Sequence, residues 1–571
     1  MVFDDALDAQ APTAVTTNPI SDGASADDLE AASSFKGTWQ HIGASKQQAR
    51  EALLGPIEDD ADLSSLAASL LTDEEAAIIG KPAHILAADI AARRLTSYQV
   101  TLAFCKAATI AQDATNCLTE ICFREGLAQA RSLDTYQAEH DGKTIGPLHG
   151  VPVSVKDHID VKGMDGPSGF VGWCGNCVAD TNALAVSCLV EAGAVIYCKT
   201  ANPQSLLSIE TNNNVYGRTT NPHNRTLSPG GSSGGEGALI AMRGSVLGVG
   251  TDIAGSIRIP ALSSGIYGLR PTIGRLPHSG LRGPHSGMDT ILGVVGPLAT
   301  CLADLNLFCS AILERQPWRR EPQVLTLPWK TELTSPSPDR KLRIGIILDD
   351  GLCAVHPPIS RAMNKATRTL KAAGHTLLPW DPVLAKESVE VLFTACLQDR
   401  GEEYHEHMRL SGEPAVPLLQ WLLTERVPSK TLSTPREVWD LNVRRDTVKT
   451  AALAQWEQLN LDVLLCPGAP TLAPRHDQSR HWNYTSMWNV TDWPAVTFPI
   501  GKYSGVEAPE EEAETRYPPH PPRNPIEEHV FKEWSPEWYR NAPVGLQLVG
   551  QRMQEEELLG CLKLVEAALS A

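Results

Sequence analysis

Three stretches of this sequence hold the groups that an acyl-transfer reaction needs. Lys156 closes the run Gly150-Val-Pro-Val-Ser-Val-Lys156. Ser232 and Ser233 lie inside Ser228-Pro-Gly-Gly-Ser-Ser-Gly-Gly-Glu236, and Ser256 lies inside Gly250-Thr-Asp-Ile-Ala-Gly-Ser-Ile-Arg258. A serine hydroxyl is a weak nucleophile until a base takes its proton. The carbonyl oxygen it attacks becomes an anion that preset N–H donors must receive. A glycine-bearing turn such as Asp252-Ile-Ala-Gly-Ser256 can present several backbone N–H groups on one concave surface. Lysine is a base only when neutral. Its free pKa is about 10.4, and burial lowers it by up to about 3–5 units. Val151, Val153 and Val155 alternate ahead of Lys156, which places the lysine at the buried end of a strand.

Each stretch has a plainer reading when taken alone. A lysine at a strand end is usually a solvated rim residue, and a Gly/Ser run is usually a flexible turn. The coincidence of all three points to chemistry. Gly231-Ser-Ser-Gly-Gly235 also fits G-x-S-x-G, but a nucleophile elbow must follow a buried strand, and Asn221–Pro229 does not read as one. No Gly-Lys-Ser/Thr ending supports a phosphate cradle. Cys174-Gly-Asn-Cys177 has no second ligand pair, so it does not read as a zinc site. Asp252 and Arg258 read as a structural pair bracing the serine loop. His158, two residues past the lysine, is given no catalytic role. Trp482, Trp488 and Trp493 read as packing, with an acyl-pocket wall as the alternative.

The elements that must position these residues follow a β–α–β rhythm. The run 150–156 reads as a strand, Ala185–Ala192 as a helix and Gly193–Cys198 as a strand, which argues for a largely parallel sheet covered by helices. Arg343–Leu348, Leu461–Cys466, Val496–Ile500 and Val544–Val549 read as further buried strands. Thr72…Glu75 and Thr96…Gln99 are capping-box signatures. Leu558, Leu562, Val565 and Leu569 line one face of a closing helix. Residues 1–33 read as a disordered tail, 34–571 as a single domain, and 504–540 as a Pro/Glu/His-rich solvated excursion.

The 571 residues carry 49 basic and 67 acidic side chains, a net charge of -18. That balance disfavours nucleic acid and anionic membranes as partners. Acidic residues occupy the N-terminus where a signal peptide carries basic ones, and no apolar run is long enough to span a bilayer. The 13 cysteines are odd in number and scattered, as in a reducing compartment. Cytoplasmic location is the expectation. A homodimer is neither required nor excluded.

With these residues in view, the chain resembles the amidase signature family. Gly150–Asp157, Gly230–Gly235 and Gly250–Arg258 look like its lysine segment and two central motifs. The likeness runs from about Leu95–Phe104 to Val544–Gly550. Asn116–Glu120, Gly217–Pro222 and Arg475–Gln478 are similar to fungal acetamidases in particular. The resemblance implies an α/β fold, a mixed, mostly parallel β-sheet sandwiched between α-helices. It implies that Lys156 is the base, Ser232 a bridging serine and Ser256 the acylated nucleophile. Backbone N–H groups of Ile253, Ala254, Gly255 and Ser256 would form the oxyanion hole, with Ser233 in support. The implied reaction takes a small primary carboxamide to a carboxylic acid and ammonia, without metal or organic cofactor. The rivals are an esterase or carbamate hydrolase, the glutaminase subunit of a tRNA-dependent amidotransferase, and an inactive scaffold. Ala254 departs from the family's usual glycine: with positive φ it would be strained, otherwise its methyl narrows the site.

Overall fold

Alternating valines do build a strand that ends in the lysine. In the computed structural model, which describes residues 37–54, 71–427, 434–506 and 517–570, β2 spans Pro152–Lys156 and is buried throughout. It pairs in parallel with β3 (Val195–Thr200) on one side and β6 (Leu247–Asp252) on the other. A strand with parallel neighbours and helices on both faces has no wet side, so its apolar residues can face either way. The helix Leu184–Glu191 lies between β2 and β3 in sequence, and the helix Gly234–Ala241 between β3 and β6. Lys156 and Asp252 therefore end neighbouring parallel strands, and Ser256 follows in the loop beyond β6. Ser232 and Ser233 sit just before the helix Gly234–Ala241. The carboxyl ends of such strands are where open α/β sheets place their ligands.

The main sheet has eleven strands. With β1 (Leu118–Ile121), β7 (Tyr267–Arg270), β8 (Val294–Ala299), β9 (Arg343–Ile346), β10 (Thr376–Pro379), β11 (Val463–Cys466), β12 (Ala495–Lys502) and β13 (Pro543–Val549), the order is β1-β3-β2-β6-β8-β7-β12-β13-β11-β9-β10. The fold is α/β with a mixed sheet between helices. Parallel pairing is concentrated in two runs, β3-β2-β6 and β11-β9-β10, and the strands between them pair antiparallel. A small ribbon, β4 (Asn212–Asn213) with β5 (Gly217–Arg218), lies apart.

Local signals set the helix ends. Thr72 with Glu75 and Thr96 with Gln99 form reciprocal capping boxes, each satisfying two otherwise orphaned N–H groups. The closing helix Glu555–Ser570 buries Leu558, Leu562 and Val565 in the same core as β2 and β3.

The disordered reading of residues 1–33 lies outside the described residues. Of the excursion at 504–540, residues 517–540 carry the helix Pro525–Lys532 and the turn Pro536–Tyr539. Glu527, Val530 and Tyr539 are buried there, and the Glu527 carboxylate accepts from the N–H of Ala354 at 2.9 Å. This part of the insertion packs back onto the body despite its polar composition. Among the described residues, no helix is long and apolar enough to cross a membrane.

Candidate active site

Lys156 is wholly buried, at 0% exposure. Its Nζ lies 2.7 Å from Ser232 Oγ and 2.9 Å from Thr251 Oγ1. No carboxylate shares those bonds. Burial lowers its pKa to about 7, against the opposing pull of Asp252, Glu236 and Asp157. The nearest acids are themselves perturbed. Burial pushes Glu236 up to about 8, resisted by hydroxyls from Ser154 at 2.6 Å and Thr200 at 2.9 Å. Burial raises Asp157 to about 6, with Lys199 opposing. An ammonium without a bonded anion is costly in such a place, so the neutral amine is well populated at pH 7 and predominates above it.

Ser232 follows a cis peptide bond with Gly231. The tight packing there explains the glycine: a Cβ on Gly231 would meet Glu210 N at 2.6 Å and Ser208 O at 2.7 Å. The N–H of Ser233 donates to the carbonyl of Ser256 at 3.1 Å, which ties the two serine loops together. Ser233 Oγ faces the backbone of Thr251.

The other side of the Ser256 loop is ionised and locked. Asp252 and Arg258 are both fully buried and meet twice: Nε donates to Oδ2 and Nη2 to Oδ1, each at 3.0 Å. Arg258 spends its remaining donors on Thr485 O, Gln547 Oε1 and Asn489 Oδ1. Burial works to raise the Asp252 pKa, but Arg258 and then Asn489 override it and hold the carboxyl well below its usual range. Asp252 also accepts the N–H of Gly255 at 2.8 Å and of Ile257 at 3.2 Å. Of the four nominated oxyanion donors, Gly255 is thus already engaged, which separates it from Ile253, Ala254 and Ser256.

Ala254 is not among the residues with positive φ. The left-handed position is its neighbour Gly255, at φ +129. A Cβ on Gly255 would strike Thr485 Oγ1 at 2.3 Å. The methyl of Ala254 is therefore unstrained and packs in a cluster with Ile259, Phe393 and Trp482. Trp482 borders the loop in this way. Trp488 and Trp493 instead stack on each other within a separate aromatic cluster with Trp380 and Trp456, and serve as core. A pocket of mixed lining opens beside Ile259, with Leu262 and Leu472 on one part of its wall and Gln478, Arg480 and His481 on another.

Thr251, Thr485, Asn489 and Gln547 were not marked out by sequence. Thr485 and Asn489 are four apart on the helix Asn483–Thr491, so both face the loop. Thr485 Oγ1 donates to the Ala254 carbonyl at 2.7 Å. Their signal is only an ordinary polar spacing, which nothing local separates from surface polarity. Among the described residues, His84, Cys301 and Asp304 alone are grouped as metal ligands usually are. Asp304 already spends both oxygens on the N–H groups of Ala83 and His84, capping a helix. Cys174 and Cys177 are buried, and burial pushes both thiols up.

The family model described as Amidase matches residues 99–559. The chain is 36% identical to an acetamidase of Aspergillus oryzae, over 92% of this chain and 98% of that one. It is 38% identical to amidase 1 of Gibberella moniliformis, over 86% and 94%. Among solved structures, fatty acid amide hydrolase superposes with a TM-score of 0.86 at 33% identity, covering 95% of this chain and 97% of that one. A bacterial aryl acylamidase, at 19% identity and a TM-score of 0.69, shares the fold.

Proposed function

We propose how this chain, which belongs to the amidase family and is an amide-bond hydrolase, performs its reaction. Ser256 Oγ attacks the substrate carbonyl. Its proton passes to Ser232, whose own proton passes to the neutral amine of Lys156. The oxyanion rests on the backbone N–H groups of Ile253, Ala254 and Ser256, while the N–H of Gly255 stays on Asp252. As the intermediate collapses, the proton returns through Ser232 to the leaving nitrogen and the amine departs. Water then repeats the sequence on the acyl-enzyme and releases the acid.

One observation carries this reading. A fully buried lysine, with a pKa lowered to about 7, is bonded to two hydroxyls and to no carboxylate. A structural lysine in that position would be expected to hold an anion. A base must not, because a paired ammonium gives up the lone pair it needs.

The proposed substrates are small primary amides, by likeness to the acetamidases. The likeness to fatty acid amide hydrolase favours a second reading, in which longer acyl chains enter. Ammonia release from a panel of straight-chain amides decides between them. A maximum at the shortest acyl chains supports the first reading. A rate that climbs steadily with chain length supports the second.

A further inference from the structure

His158 lies two residues past Lys156, and its ring is held on both nitrogens. Nδ1 sits 2.9 Å from the carbonyl oxygen of Arg282, and Nε2 sits 2.8 Å from Thr251 Oγ1. The backbone fixes this geometry: Arg282 N–H donates to His158 O at 2.8 Å, and Ile159 bridges Leu281. Ser168 Oγ donates to the same Arg282 carbonyl at 2.7 Å.

The proton positions follow by elimination. A carbonyl oxygen only accepts, so Nδ1 carries the ring proton. In a neutral imidazole Nε2 then has a lone pair and no proton. Burial keeps the ring neutral. The Thr251 hydroxyl must therefore give its single proton to Nε2. Towards Lys156 its oxygen can only accept, and the amine supplies the proton of that 2.9 Å bond. Thr251 cannot compete for the lone pair of the amine. That lone pair is left to the hydroxyl of Ser232, at 2.7 Å.

We propose that His158 is a positioning residue for amide hydrolysis: by holding the proton of Thr251, it reserves the lone pair of Lys156 for Ser232. This rests on the reading of Lys156 as the base. A hydroxyl that donates onward is also a better acceptor, so the same chain steadies the ammonium that forms when Ser232 delivers its proton.

His158→Phe removes the acceptor while filling the space, and His158→Gln restores one acceptor and one donor. Loss of one neutral hydrogen bond in the relay is worth roughly fivefold to tenfold in rate. His158→Phe is expected to lower kcat by that factor, with KM within about twofold. Labelling of Ser256 by a fluorophosphonate slows equally. The acid limb of kcat/KM moves to lower pH, because the amine becomes a weaker base. Other groups facing this pair are Asp157, Lys199, Glu236, Asp252 and His278, and both variants retain them. His158→Gln regains most of the rate and returns the limb. Near-isosteric Thr251→Val gives the same signature as His158→Phe.

A folded His158→Phe with wild-type kcat and an unmoved acid limb overturns the proposal. So does a loss that tracks a lowered melting temperature and that His158→Gln fails to restore. Ser256→Ala run in parallel separates the two levels. If it is dead and unlabelled while His158→Phe is fully active, the role of His158 alone fails. If it turns over substrate, the underlying reading fails.

Discussion

Two buried polar clusters flank the Ser256 loop, and they handle protons in opposite ways. Around Lys156 the partners are hydroxyls, the amine changes charge at about pH 7, and a proton can move. Around Arg258 the partner is a carboxylate met twice, every donor is spent, and nothing can titrate near neutrality. Both clusters are equally dry. What separates them is whether a cation finds an anion within bonding reach. The lesson reaches Lys46 as well. It is mostly buried too, but bonds Glu120 at 2.6 Å and Asp165 at 2.9 Å, and its pKa goes up instead of down. Lys46 has two carboxylates within bonding reach; Lys156 has only hydroxyls.

The contrast is broken most severely by removing the mobile side. Ser256→Ala or Lys156→Ala should each cost about a thousandfold or more in kcat, and the double variant should be little worse, since groups acting as a unit fail together. Turnover and fluorophosphonate labelling measure this. Next in size is the locked side. Arg258→Met strands Asp252 as an uncompensated buried charge, at a cost of about 3–5 kcal/mol. A lowered denaturant midpoint and loss of activity should appear together.

Glu236 sharpens the comparison with a smaller effect. Burial pushes its pKa to about 8, above the ordinary glutamate value of 4.5, so the fold favours the protonated form. The stability this contributes is complete below about 4.5 and is lost as pH rises through about 8. Glu236→Gln cannot titrate, so its melting temperature should change less between pH 5 and pH 8 than that of the parent. Smallest is Ala254→Gly. Since the alanine is unstrained, the change should alter kcat/KM for acetamide by less than about fivefold and relax tolerance for branched acyl groups, by roughly the value of one buried methyl.

Sequence made much of this arrangement legible, for reasons specific to each segment. β2 could be read because valines alternate into a charge, and β9, β11, β12 and β13 because each is a short apolar run. β6 was hidden: Leu247-Gly-Val-Gly-Thr-Asp252 is a third glycine and sits in a Gly/Ser-dense region, where periodicity carries little signal. Those glycines answer to neighbours distant in sequence. A Cβ on Gly248 would strike Glu236, and one on Gly250 would strike Leu298. The stretches that hold Lys156, Ser232 and Ser256 stand out in the sequence because they are dense and unusual. Thr251 and His158 lay inside or beside those motifs, yet their roles depend on which proton faces which lone pair, and that requires coordinates. Thr485, Asn489 and Gln547 reach Arg258 from more than two hundred residues away, beyond any local pattern.

Everything in the relay depends on Lys156 being a neutral amine when it accepts the proton of Ser232. The most direct test is the pH dependence of Ser256 labelling by a neutral fluorophosphonate, followed by mass spectrometry in the parent and in Lys156→Ala. The labelling rate should rise with pH through a midpoint of about 7 in the parent and collapse at every pH in Lys156→Ala. A flat parent profile from pH 5 to 9, or unchanged labelling in Lys156→Ala, would contradict it.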